Sequence, residues 1–408
     1  MNTVNTKTRP GISKLAGRIA ALLAALALAA FTLAEMRLAA PAAADLAAGR
    51  ISFAEFTSQV HDKCVSGTPL KYTFVDLNGL YCKLSGRNIC NQIMRLKNGM
   101  LTNYNPERHD MTAPAEGIAA LADYAAQNGA QLIYVQCPSK LDADSQLLIP
   151  GEEDHSNENA DELLSLLSAA GVDTLDLRRD LAQTPQQIEQ YFFRTDHHWN
   201  FTGAFAGYQR LMQTLYARFP AAGIDMACAD SANWEAHTLH DWMLGSQGKR
   251  TGVFFGGTDD ITYYTPRFDT QMSCEIPAYS GGSAYYEGSF ADVNIRGEYL
   301  AARPDRFESS PYDMYIGGEY ALVRHRSESA SSDLKLLLVK DSFALPVEAF
   351  LSTAFKSIDV LDPRYMEDET VAGHIRDEAP DVVIVMLSQN SAWAYPEYSD
   401  YGIPALSE

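Results

Sequence analysis

Short apolar runs alternate along most of the chain with stretches whose apolar positions recur at helical spacing, and this alternation sets the expected architecture. Residues 131–136 (Gln-Leu-Ile-Tyr-Val-Gln) form a compact apolar run halted by Cys137-Pro138-Ser139-Lys140, which predicts a strand followed by a breaker. Further strands are expected at 172–177, 334–339, 357–361 and 382–387, and at 74–80, where Phe-Val-Asp-Leu-Asn-Gly-Leu reads as a strand and turn. Helical periodicity marks 116–128, 159–170, 185–191, 347–355 and 368–378. Strands alternating with helices of about ten residues predict an α/β domain, a three-layer flavodoxin-like parallel sheet with helices on both faces.

The pattern breaks between about 231 and 315. Gly, Tyr, Thr and Ser dominate there, apolar runs are brief, and Gly245-Ser-Gln-Gly-Lys-Arg, Gly256-Gly-Thr-Asp-Asp and Ser280-Gly-Gly-Ser punctuate the stretch. It reads as an inserted β and loop segment packed beside the sheet.

The N-terminus departs in another way. Lys7, Arg9, Lys14 and Arg18 precede an almost unbroken Ala/Leu stretch at 19–34, the order of a basic flank and an export segment. The expected organisation is a cytoplasmic basic segment at 1–18, a signal-anchor helix at 19–36, a linker at 37–49, and a domain at 50–408. The apolar stretch is slightly shorter than the ~20 residues of a spanning helix, and Ala42-Ala43-Ala44 offers a cleavage site, so a cleaved signal peptide stands beside the anchor. Either way the bulk of the chain faces outside, held to the membrane by a single pass or secreted.

Fifty-two acidic against 32 basic residues give a net charge of −20, which argues against nucleic acid or anionic lipid held through a broad positive surface. The cysteines are even in number: Cys64, Cys82, Cys90, Cys137, Cys228 and Cys274. In an oxidising compartment Cys82 and Cys90, close in sequence across a Gly-containing turn, are the easiest pair to close, with Cys64 their rival. Cys137, directly after a strand, reads as a buried thiol. No Cys/His set has zinc spacing, so no structural metal is expected.

Two segments carry candidate chemistry. Phe193-Arg-Thr-Asp-His-His-Trp-Asn200 sets an acid, two imidazoles and an indole side by side, and Lys340-Asp341-Ser342-Phe343 follows the apolar run 334–339. A serine at the carboxyl end of a parallel strand, before a helix, is exposed where ligands of α/β sheets collect, although Asp or Ser there also makes a simple N-cap. Brought together, the segments supply a nucleophile, a base and an orienting carboxylate. The Asp-His-His run also invites a two-metal reading, but beyond Asp259-Asp260 no further carboxylates or histidines fall into a ligand pattern.

The strand-turn-helix serine resembles the nucleophile block of the SGNH hydrolases, with Lys340 where that block has Gly. The Asp-x-His loop preceding the serine in sequence resembles the alginate O-acetyltransferase group and, more closely, the DHHW family. The likeness extends to Asp76-Leu-Asn-Gly79, Pro138-Ser-Lys140, Leu244 to Arg250, Asp259-Asp260, Leu337 to Ala344 and Asp362-Pro-Arg-Tyr365, covering roughly 74–393. It implies an SGNH-like fold with Ser342 as nucleophile, His198 as base and Asp196 orienting it. It also places Asn390 beside the usual third block as an oxyanion donor, while Glu319, in Ile316-Gly-Gly-Glu, stands where the family commonly has Asn. Lys140 and Arg250 are candidate substrate-side cations or surface charges, and Trp199 a sugar platform or a packing residue. Tyr263, Tyr264, Tyr285 and Tyr286 are candidates for lining a glycan groove.

The activity implied is O-acetyl transfer to a cell-envelope or secreted polysaccharide, without a cofactor, the acyl group being supplied by a partner of the MBOAT acyltransferase type. A serine carbohydrate esterase using the same triad is the nearest alternative. A non-catalytic polysaccharide-binding or scaffold protein, favoured by Lys340 and Glu319, is the other.

Overall fold

The computed structural model describes residues 10–279, 282–301 and 305–404. Lys7 and Arg9 of the basic flank, and Ser280-Gly281, lie outside them. The chain divides into two units, Met1–Val75 and Asp76–Glu408, so the large unit starts well after residue 50.

In the first unit the helix Pro10–Ala47 runs straight through the stretch expected as a linker. Alanine has the highest helix propensity, and 37–49 is mostly Ala and Leu, so the helix continues through Pro41 to end just before Gly49, where φ is +67°. Its Ala21–Ala47 part is long and apolar enough to cross a membrane. A capping box of Ser52 and Glu55 opens the next helix, Phe53–Gly67.

In the second unit eight strands make the main sheet, numbered along the chain: β1 Gln131–Gln136, β2 Asp173–Asp176, β3 Met272–Tyr279, β4 Gly282–Gly288, β5 Leu322–Ser327, β6 Ser332–Lys340, β7 Phe355–Leu361 and β8 Val382–Leu387. Their spatial order is β2-β1-β8-β6-β7-β5-β3-β4. The first five are mutually parallel, while β5, β3 and β4 are added antiparallel. The sheet is therefore mixed, not wholly parallel. Along β6 the pleat sends Leu336 and Leu338 into one core with the helices Phe201–Arg218 and Leu345–Leu351. Leu337 and Val339 enter the other core, against Thr112–Gln127 and Val371–Glu378.

Two expectations fail for identifiable reasons. Residues 74–80 lie in the helix Lys71–Leu84. The Asn-Gly taken for a turn is inside it because a Cβ on Gly79 would sit 1.9 Å from Thr251 O, so only glycine lets this helix approach the segment Ser246–Thr251. The inserted segment does not simply pack beside the sheet. Only the hairpin Trp234–Met243/Asp259–Pro266 is separate; β3, with Met272, Cys274 and Ile276 alternating inward, extends the sheet itself. The helix expected at 347–355 ends at Leu351, and Phe355 already opens β7.

Leu338 lies fully buried at the centre of the sheet. Leu338→Ala should lower stability by about 2–5 kcal/mol through lost transfer energy plus a residual cavity, read as a reduced Tm in a circular-dichroism melt with the native spectrum retained.

Candidate active site

The acid and the two histidines occupy a turn between the helix Pro185–Tyr191 and the helix Phe201–Arg218, closed by a bridge between Phe192 and Trp199. Such a turn carries backbone groups that no regular element satisfies, and the structure answers them one by one. Buried Asp259 accepts from Arg194 N, from Thr195 N (2.8 Å) and from the Thr195 hydroxyl. Leu101 N donates to Arg194 O (2.8 Å) and Gly248 N to Thr195 O (2.8 Å), while Gly245 N donates to Thr195 Oγ1 (2.8 Å). A Cβ on Gly245 would lie 2.3–2.6 Å from Asp196 atoms, which is why glycine occupies that position.

On this turn His198 Nε2 lies 2.8 Å from Ser342 Oγ and His198 Nδ1 lies 2.6 Å from Asp196 Oδ1. Asp196 also accepts from His198 N (3.0 Å) and Ser246 N (2.6 Å). Burial, the largest influence, pushes its carboxyl upward, but the His198 and His197 rings and these hydrogen bonds carry it well below the usual carboxylate range. An ionised carboxylate can only accept, so the proton sits on His198 Nδ1 and Nε2 offers its lone pair to the serine hydroxyl. Tyr312, which sequence reasoning did not single out, stacks on His198 at 3.8 Å and 6°, and its hydroxyl donates to Ser342 O (3.0 Å). A tyrosine in a loop-rich stretch gives no periodic signal of such a role.

Ser342 opens a short 3-10 turn at the carboxyl end of β6, ahead of the helix Leu345–Leu351. Asp341 does the capping: Oδ1 accepts from Phe343 N (2.9 Å) and Oδ2 from Ser388 N (2.6 Å). Ser342 is thereby left to face His198. Lys340, fully buried, points its ammonium to within 3.7 Å of Asp362 and is absent from the cleft wall.

The serine opens into a cleft of about 370 Å³ built over the carboxyl ends of β1, β6 and β8. Its wall includes Asn390, Lys140, Arg250, Arg364, Trp393 and Tyr395, and none of its residues is acidic. Asn390 thus shares the cleft with Ser342, and exposed Arg250 stands at the rim, donating to Asn91 O (2.7 Å). Lys140 is otherwise than a free substrate-side or surface cation. It is 2% exposed, and its ammonium donates to Leu101 O (2.5 Å), Gln247 Oε1 (3.0 Å) and Arg194 O (3.3 Å), tying the histidine turn to two neighbours. Burial pushes it down to about 7, with Asp259 and Asp196 opposing.

Trp199 is fully buried, its Nε1 donating to Phe343 O (2.9 Å), so it packs beneath the site and offers no face to a sugar. The aromatic side chains on the cleft include Trp393, stacked on His109 at 3.6 Å, with Tyr104, Tyr395 and Phe343. Tyr263, Tyr264, Tyr285 and Tyr286 are not on it. His197 is partly exposed, and its Nδ1 meets Ser246 Oγ at 2.8 Å; burial and the adjacent His198 push its ring downward. Ligand atoms of Asp196, His197 and His198 come within 4.8 Å of one another. Both Asp196 oxygens and both His198 nitrogens are nevertheless engaged by protein groups, and Asp259 is spent on the turn's backbone, a poor donor set for a metal.

Residues 96–237 match the family model described as the SGNH hydrolase-like domain of the acetyltransferase AlgX. No curated protein matches the chain in sequence. Among solved structures, Bacillus cereus PatB1 superposes with a TM-score of 0.63 at 22% identity, covering 76% of this chain and 99% of PatB1. A second PatB1 structure, with a sulfonyl adduct, gives 0.63 at 21% over 76% and 98%. A DHHW family protein from Eubacterium siraeum gives 0.52 at 17% over 75% and 97%.

Two variants probe the fixation of the turn. Gly245→Ala should displace Asp196 and reduce any Ser342-dependent activity at least about tenfold while the protein stays folded by circular dichroism. Lys140→Met, which removes the ammonium donor from Leu101 O, Gln247 Oε1 and Arg194 O, should lower Tm. Folded Lys140 sheds its proton near pH 7 and the unfolded chain only near the usual 10.5. Between those values the unfolded chain holds the extra proton, so the wild type should gain on the Met variant as pH rises from 7 to 10. The architecture shared with these structures and the match over 96–237 show that the large unit has an SGNH hydrolase-like fold.

Proposed function

We propose that this protein is an extracytoplasmic O-acyltransferase that moves an acetyl group through Ser342 onto a hydroxyl of a cell-envelope or secreted polysaccharide. The unbroken chain of hydrogen bonds from Ser342 through His198 to Asp196, opening into a polar cleft, carries this reading. His198 Nε2 takes the serine proton as Oγ attacks the acyl carbon, and Asp196 stabilises the imidazolium. The Ser342 N–H and the Asn390 side chain are the candidates for holding the oxyanion. Collapse returns the proton to the leaving group and leaves acyl-serine. His198 then deprotonates a sugar hydroxyl, which takes the acyl group and frees Ser342.

Four further features support the assignment. The match to an acetyltransferase domain model favours transfer over hydrolysis. PatB1 has been solved with a sulfonyl adduct, and sulfonyl reagents modify activated serines. The apolar Ala21–Ala47 helix suits an anchor that would keep the domain outside and beside a membrane partner of the MBOAT type supplying the acyl group. A wall of amides, hydroxyls, aromatic rings and cations without carboxylates fits a hydroxyl-rich acceptor.

Incubated with p-nitrophenyl acetate, the full-length protein in detergent should release a burst of nitrophenol equal to the enzyme present and be silenced by a sulfonyl fluoride. Ser342→Ala should abolish the burst, and Asp196→Asn, by allowing the wrong imidazole tautomer, should slow acylation about 10²–10⁴-fold. With an acceptor oligosaccharide added, mass spectrometry should find the acetyl group on the sugar. Release of acetate alone would replace transfer by hydrolysis, and an unaltered burst in Ser342→Ala would end the proposal.

A further inference from the structure

We propose that Cys82 and Cys90 become joined by a disulfide in the exported protein, bracing one wall of the cleft. Cys82 lies in the last turn of the helix Lys71–Leu84 and Cys90 ends the short strand Ile89–Cys90. Both are buried in a small separate core with Ile93, Leu101 and Phe255, with the Cys82 thiol close enough to Cys90 to perturb it. Asn78 Nδ2 also reaches Cys90 Sγ at 3.4 Å. The intervening turn is already folded back: Ser85 N donates to Tyr81 O and Arg87 N to Cys82 O, both at 2.9 Å, with Gly86 at φ +73°. The remaining cysteines are engaged elsewhere. Cys64 lies near Glu35, which pushes its thiol up, Cys228 Sγ contacts Thr353 O, and Cys137 and Cys274 are buried in the large core.

The place to be braced follows directly. Asn91 and Gln92, next in the chain, hold left-handed backbone at φ +50° and +61°, a conformation that costs non-glycine residues energy. Asn91 exchanges hydrogen bonds with Arg250, its Nδ2 donating to Arg250 O (2.8 Å) and its carbonyl accepting from Nη2, and Gln92 lines the cleft. A covalent tie at Cys90 would hold this turn and the Arg250 rim in register by restricting the unfolded chain.

Formation requires two thiols to lose two protons and two electrons to an oxidant of the disulfide class, a thiol oxidoreductase or oxidised glutathione, which leaves as two thiols. Burial, followed by the adjacent Cys82, pushes the Cys90 thiol up to about 12, so the bond forms while the chain folds and only slowly once the core is closed.

Full-length protein expressed into an oxidising compartment should be denatured without reductant and alkylated. Two of its six cysteines should escape alkylation, and a non-reduced digest should contain a peptide linking Cys82 to Cys90 that reductant separates. Reduction before melting should lower Tm, and Cys82→Ser, Cys90→Ser and the double variant should each lower it by a similar amount, since any one of them removes the same bond. The proposal falls if both thiols are alkylated in non-reduced protein, if either cysteine is linked to a different partner, or if reduction leaves Tm unchanged. None of these readings involves Ser342, so they stand apart from the acyl-transfer assignment.

Discussion

The site depends on holding one polar turn rigid at the edge of an apolar core. Asp196 and His198 are 5% and 7% exposed, a costly burial for an acid and an imidazole unless their hydrogen bonds are fully met. Much of the large unit is arranged to hold the turn that carries them. Asp259 reaches across from the inserted hairpin, Lys140 from the breaker after β1, and Ser246 from the short helix Ser246–Thr251. These donors and acceptors come from three separate stretches of chain, so the turn is defined only once the large unit is assembled. The result is a fixed imidazole tautomer aimed at the serine, which in the proposed reaction would need no reorganisation as charge develops.

That dependence explains which parts of the molecule were legible in the sequence. Buried parallel strands announce themselves by continuous apolar runs, and β1, β6 and β8 lie where those runs place them. Ser342 and His198 were readable because polar chemistry beside apolar runs lacks a structural excuse. The helix Lys71–Leu84 was not, because its Asn78-Gly79 serves a close approach to Thr251 that exists only in three dimensions. For Trp199 the sequence left a sugar platform and a packing residue open, because its place beside His198 was legible and its depth was not. Its counterparts on the cleft, Trp393 and Tyr395, sit near the C-terminal end of the chain, where neither periodicity nor spacing connects them to the histidines.

Lys140 and Lys340 illustrate how the same residue type carries different work when buried. Lys140 offers its ammonium to three oxygens and so acts as a pin between segments. Lys340 faces the carboxylate of Asp362, which also binds Arg364 through Nε (2.9 Å) and Nη2 (2.6 Å). The sequence left Lys140 open between a substrate-side cation and a surface charge; burial makes both lysines part of the scaffold.

The two residues that depart from the resemblance, Lys340 and Glu319, turn out to be linked through one network. Glu319 accepts from Arg364 and from the Tyr365 hydroxyl, while Asp362 joins Arg364 to Lys340 and accepts from Tyr398 (3.2 Å). Tyr398 in turn donates to Lys340 O (2.8 Å), the residue two before the serine. Two cations are thus balanced by two carboxylates in a largely buried cluster behind the cleft wall, and of its members only Arg364 reaches the cleft. A lysine in place of the glycine adds a charge there, and a glutamate in place of asparagine supplies the opposite one. The substitutions make electrostatic sense as a pair, and both lie away from the atoms of Ser342, His198 and Asp196 that would do the chemistry.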